Sequence, residues 1–230
     1  MIYTTETPFA FRWPTAAKFG RIVPKARLYQ HGSVRSAVRE QFACDVERIV
    51  WAYKLSDDTI RLRGNAAVPE IQVFTVDAKG ADVSDEVLTA IDKAVLFPVV
   101  FEVTGGGRVR TVAAQKTLGG KIPTVSAYHS TGWLDADADR RPMPTALDLP
   151  GLYEAFLSAL LPIDTRAGET VSAAVDRLNR ARILQREVAA LERKLRTEPQ
   201  LNRKIEIRRQ IIASTVALND LTSPAPSTKE

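Results

Sequence analysis

A metal-dependent nuclease needs two acids on neighbouring strands to hold a divalent cation, and a lysine to assist the attacking water. Asp58 (or Asp57) followed by Glu70 supplies such acids, with Gln72 at the place the lysine normally takes. Gln72 carries no charge, so Lys54 would have to replace that lysine. Magnesium is expected under this reading alone, and the residues imply no other cofactor. Outside that chemistry, a glutamate at the start of a strand is a solvated side chain.

Other constellations fail on chemistry. Gly105-Gly106-Gly107-Arg108 suggests a phosphate cradle, but it lies between two β-rich runs and therefore reads as a hairpin turn. Gly119-Gly120-Lys121 ends in Ile122 where a Walker loop needs Ser or Thr, and the first glycine of that loop is missing. Asp135, Asp137 and Asp139 alternate like the start of a calcium loop, yet Arg140 stands where that loop needs Gly and Ala146 where it needs Glu. His31 and His129 stand alone, and Cys44 falls on an amphipathic helix as a small buried side chain, so no metal cluster is expected. There is no nucleophile elbow.

Charge is the next signal. Residues 1–165 hold 19 basic and 19 acidic side chains, whereas residues 166–222 hold 12 and 7, which carries the whole net charge of +5. The opening is basic as well: Arg12, Lys18, Arg21, Lys25, Arg27 and Arg35 oppose Glu6. Lys18, Arg21 and Lys25, with Arg193, Lys194, Arg203, Lys204, Arg208 and Arg209, are therefore candidates to hold DNA phosphates without reading bases. The plainer alternative is that helix surfaces carry Lys and Arg for solubility.

The elements that would position these residues follow from hydrophobic period. With 230 residues, 45% apolar and 26% charged, the chain has the composition of a folded protein with a sizeable core. Residues 1–32 look irregular, punctuated by Pro8, Pro14, Gly20, Pro24 and Gly32. Ser33 is the expected N-cap of a helix to about Asp45, with Val34, Val38 and Phe42 on one face. A strand over Ile49 to Leu55 follows, then a loop with a short strand at Ile60 to Leu62. Ile71 to Val76 is β-rich, Ser84 precedes a helix with Val87, Leu88, Ile91 and Val95 on one face, and Pro98 opens a strand to Val103. Strands at Val109 to Ala114 and Val125 to Tyr128 follow, then a polar loop past Trp133 and a helix from Leu152 to Leu160. This order predicts an α+β domain, a mixed sheet with helices against it, over 1–165. It is also the element order of a restriction-endonuclease-like core, in which the acids above would sit.

Beyond residue 165 the period changes. Val171, Ala174, Leu178, Ala181, Leu184, Val188, Leu191 and Leu195 recur every three or four residues until Glu198-Pro199 breaks the helix. Leu201, Ile205, Ile207, Ile211, Ser214, Leu218 and Leu221 continue on a second helix. Residues 166–222 thus predict a helical hairpin or coiled coil, and 223–230 a frayed tail. Leu178, Leu184, Val188, Leu191, Leu195, Ile205, Ile211 and Leu218 are the positions expected to dimerise the chain or clamp a partner helix. The opening residues lack a basic start and apolar stretch, and the run Ala94 to Phe101 is too short to span a bilayer. A cytoplasmic protein with no membrane partner is expected, and the lone Cys44 suits a reducing compartment. The residues alone go no further than an α+β domain with a helical tail.

Several segments in a fixed order carry a resemblance: Val23-Pro24-Lys25, Ile49 to Ser56, Pro69 to Phe74, Ile91 to Val103, Ala146 to Glu154 and Gln200 to Ile207. Together they resemble a bacterial and archaeal domain family of unknown function, over about Gly20 to Asp220. That resemblance implies genes beside a type III-like DNA methyltransferase and a helicase. It therefore implies an accessory subunit of a restriction-like or anti-phage system, with those proteins as partners. It brings no catalytic residues with it.

Overall fold

The computed structural model describes residues 9–31, 34–119 and 123–223. The chain forms two compact units that divide between Leu160 and Leu161.

The first unit is a mixed sheet with helices. Its elements are β1 (Ala10–Arg12), β2 (Lys18–Ile22), α1 (Lys25–His31), α2 (Ser36–Asp45), β3 (Val46–Leu55), α3 (Asp57–Ile60), β4 (Ile71–Ala78), α4 (Asp85–Ala94), β5 (Val99–Gly105), β6 (Arg108–Thr117), β7 (Thr124–Ser130), β8 (Leu134–Asp135), β9 (Arg140–Pro142) and α5 (Leu149–Leu160). The main sheet runs β2-β3-β4-β5-β6-β7, with β8 also on β6, and a separate parallel pair joins β1 to β9. Only β4 and β5 are parallel within the main sheet, because α4 carries the chain back over it, while the other neighbours are antiparallel. Gly106 and Gly107 take positive φ at the β5–β6 reversal, as the hairpin reading of that glycine run requires.

Strand alternation sends successive side chains to opposite faces. Phe74, Val76, Val99, Phe101, Val103 and Val112 pack with Phe42 of α2 and Val87, Leu88 and Ile91 of α4 on one face. Burying these side chains supplies about 1.5–3 kcal/mol each against leaving them in water. On the other face Phe156 of α5 sets its ring 4.9 Å from Phe11 and 5.5 Å from Trp13. Beneath α4, the Lys116 Nζ donates to Asp92 Oδ1 at 2.8 Å and to the carbonyls of Asp92, Val95 and Phe97 at 2.6, 2.5 and 2.7 Å. Tyr128 donates its hydroxyl to Asp92 Oδ2 at 2.9 Å. Burial pushes the Asp92 carboxyl up and the Lys116 ammonium down, each opposed by the other's charge and hydrogen bond.

Four expectations are corrected. Over its described residues, 9–31, the opening segment is not irregular: it holds β1, β2 and α1, and the two short strands are completed by β9 and β3. The short strand expected at Ile60 to Leu62 is instead the helical turn α3 and its exit. Ser56 and Thr59 form a capping box there, and Arg61 leaves the turn at φ 58°. The loop past Trp133 contains β8 and β9. Cys44 is exposed, because Phe42 and not Cys44 faces the sheet. Ser33, expected as an N-cap, lies outside the described residues, as do Gly120, Lys121, Ile122 and the tail from residue 224.

The second unit consists of α6 (Val171–Thr197) and α7 (Leu201–Thr222), which pack together as a hairpin. Leu161 and Ile163 join Ala174 and Leu178 in its apolar cluster. Thr170 caps α6 by accepting from the Ala173 N–H at 3.2 Å. Among the described residues no helix is long and apolar enough to cross a membrane.

Candidate functional site

An α-helix turns 100° per residue, so positions three and four apart share a face. On α7, Ile207, Ile211, Ser214, Leu218 and Leu221 form one such stripe, buried or half-buried against the hairpin. Leu184, Val188, Leu191 and Leu195 of α6 are likewise half-buried, and Leu178 is buried. Most positions singled out for partner contact thus form the hairpin's own seam.

Ile205 is different. With Leu201, Ile212 and Val216 it makes a second stripe on the opposite face of α7, exposed at 69% (Leu201), 41% (Ile205), 64% (Ile212) and 55% (Val216). Arg208 and Arg209 lie beside that stripe, both exposed. The sequence contains the signal: Leu201 and Ile205 fall out of phase with Ile207 and Ile211, so α7 carries two apolar faces and not one.

The remaining cations of the hairpin separate by position. Arg193 and Lys194 are exposed near the end of α6, where Lys194 and Arg196 complement the helix dipole. Arg203 is exposed and Lys204 half-buried. Among the described residues none of Arg193, Lys194, Arg203, Lys204, Arg208 and Arg209 forms a salt bridge.

In the first unit, three members of the nuclease set meet. Lys54 and Gln72 are cross-strand neighbours on β3 and β4, which brings both to Glu70. The Lys54 ammonium pairs with Glu70 Oε1 at 2.7 Å, and the Gln72 amide donates to Glu70 Oε2 at 3.0 Å. Gln72 is 1% exposed, and among the described residues its Oε1 has no partner. Asp57 and Asp58 are exposed in the first turn of α3. Among the described residues no group of three or more His, Cys, Asp and Glu is placed to hold a metal ion. The cluster is a neutralised ion pair at a strand end, and Asp57 and Asp58 stand on the helical turn α3 and not on a neighbouring strand.

The opening basic residues also part company. Lys25 donates to the carbonyls of Phe42 and Val46 at 2.9 and 2.5 Å and so caps the end of α2. Burial, then the charge of Lys79, holds its ammonium below the usual lysine range. Lys25→Met is expected to cost about 1–2 kcal/mol of stability in a urea melt, whereas a cation serving only phosphate would leave the midpoint where it was. Arg21 is exposed over the Phe19 ring, 4.7 Å from its centroid, and Lys18 is exposed on β2.

A family model described as a domain of unknown function, DUF4391, matches residues 11–213. No curated protein and no solved structure matches the chain significantly.

Proposed function

Because the chain belongs to the DUF4391 family of domains of unknown function, we propose from its own surface that it is a non-catalytic interaction subunit. The outer face of α7 takes up an apolar, acidic-edged helix of a larger partner protein. The observation that carries this is the second stripe: Leu201, Ile205, Ile212 and Val216 lie exposed on one helix face, opposite the seam. Surface hydrophobics scattered singly need no explanation, but an aligned set on one face marks a contact surface. Arg208 and Arg209 set the partner's character. Two copies of α7 meeting on this face would bring their arginines together, and like charges disfavour that arrangement. An acidic rim on a different protein satisfies them. The DNA methyltransferase or helicase subunit of a restriction-like or anti-phage system, which the family resemblance implies, is the partner we propose.

The test is the mass in solution of the chain alone and mixed with each of those two proteins, by size-exclusion chromatography with light scattering. A complex with either one is expected. Ile212→Asp should weaken it by about a hundredfold, as for a central apolar contact, while leaving helicity and melting unchanged, since Ile212 stands outside the seam. A chain that stays alone with both proteins overturns the reading, and a homodimer broken by Ile212→Asp overturns the choice of partner. Binding that resists Ile212→Asp but falls with salt and with Arg208→Ala would mean that this surface holds DNA phosphates instead.

A further inference from the structure

The face of the main sheet away from α4 holds a cleft of about 430 Å³, within the range of small-molecule sites. Thr75 of β4 and Glu102 of β5 are register partners and make its floor, while Arg12, Lys18, Tyr53 and Arg140 stand around it. Glu102 is buried, its side chain 7% exposed, and its position is fixed on one oxygen only. Oε1 accepts from the Trp13 indole N–H at 2.9 Å and from Arg140 Nη1 at 2.5 Å. Arg140 Nη1 also donates to the Phe11 carbonyl at 2.8 Å, so the β1–β9 pair clamps this carboxylate from above. Its Oε2 has no protein partner among the described residues, and Glu102 lines the cleft.

The cations are arranged otherwise. Arg140 is spent on Glu102, but among the described residues neither Arg12 nor Lys18 has a carboxylate partner. Arg12 makes a single long bond, from Nη2 to the Arg140 carbonyl at 3.3 Å. The lining therefore keeps an excess of positive charge at the rim and one free carboxylate oxygen at the floor. A ligand that satisfies both ends carries an anion and, several bonds away, a hydroxyl or amine donor. Arginine and lysine together at a rim suit phosphate, the first as a fork and the second as a point charge.

We infer that this cleft binds a phosphate monoester of nucleotide size, with its phosphate on Arg12 and Lys18 and a sugar hydroxyl or base amine on Glu102 Oε2. The phosphate can belong to a free nucleotide or to the 5′ end of a nucleic-acid strand. Neither source needs a phosphate cradle of glycines, which is why the glycine runs of the sequence gave no sign of it.

The experiment is calorimetric titration of the full chain with the four nucleoside 5′-monophosphates, the matching nucleosides, and a short single strand with and without its 5′ phosphate. At least one phosphorylated probe is expected to bind with Kd below about 1 mM, and its unphosphorylated counterpart at least about tenfold more weakly. Binding of monophosphates alone identifies a free nucleotide as the source, and binding of the phosphorylated strand identifies a strand end. Lys18→Glu should lower affinity by about tenfold or more without moving the melting temperature, because the Lys18 side chain is exposed and makes no hydrogen bond or ion pair among the described residues. Arg12→Gln should act in the same direction. If no phosphorylated probe binds, or if Lys18→Glu leaves the affinity unchanged, the assignment is overturned.

Discussion

Lys116→Met is expected to lower the stability of the sheet unit by on the order of 3–5 kcal/mol. Its side chain and that of Asp92 are both fully buried, so methionine leaves a carboxylate in the interior with no cation beside it. The same change removes the donor at the end of α4, since Nζ reaches the Asp92 carbonyl of its last turn and the Val95 and Phe97 carbonyls that follow it. Three tryptophans, at positions 13, 51 and 133, all lie in this unit, and none lies beyond residue 160. Tryptophan fluorescence in urea therefore reports this transition by itself. A variant within about 1 kcal/mol of the parent would mean that the pair contributes little. The double variant Lys116→Met with Asp92→Leu separates the terms. It removes the stranded charge and should recover part of the loss, but the Val95 and Phe97 carbonyls and the Tyr128 hydroxyl still lack their partners, so recovery stays incomplete.

That lysine shows where sequence reading succeeds and where it stops. The run β4–α4–β5 is legible because each element announces its own period: Ile71 to Val76 is β-branched, Val87, Leu88 and Ile91 share a helix face, and Pro98 marks the return. Nothing local says that Lys116, on a strand two elements later, will end that helix. The short strands fail for the same reason. Ala10–Arg12 becomes β1 only by lying beside Arg140–Pro142, and a three-residue segment has no period to show. At α3 the alternation of Ile60 and Leu62 suggested a strand, but the capping box of Ser56 and Thr59 decided the conformation first. The hairpin was legible as a hairpin, down to the break at Pro199. Its second face hides in a simple three-four count, because Leu201 and Ile205 continue the spacing of Ile207 and Ile211 only roughly, and their helical phase sets them opposite the seam. The cleft at Glu102 was out of reach, since its residues come from six separate strands and, in Trp13, from the segment after β1.

The hairpin unit has its own point of failure at Arg177, a buried side chain on α6. Nε and Nη2 grip the two oxygens of Glu169 at 2.8 and 2.7 Å, Nη2 also donates to the Asp164 carbonyl at 2.7 Å, and Nη1 reaches the Leu221 carbonyl of α7 at 2.7 Å. One guanidinium thereby ties the loop before α6 to the far end of α7. Arg177→Met should cost on the order of 3–5 kcal/mol, and because this unit has no tryptophan the loss appears in far-ultraviolet circular dichroism while fluorescence stays native. Acid should do the same. The hydrogen bonds from Arg177, ahead of all other effects, hold the Glu169 carboxyl down at about 2 from an ordinary 4.5. A folded-state value below the unfolded one gives stability that is whole above about pH 4.5 and disappears as the pH falls toward 2, on the order of 3 kcal/mol in all. Glu169→Gln removes that titration, so its helical transition should start from a lower stability at neutral pH and lose this part of its slope between those limits. If the variant and the parent keep the same slope there, the clasp is not what acid opens. Ile212→Asp, on the outer face of α7, should leave both transitions where they are, which separates the fold of the hairpin from the contact proposed for it.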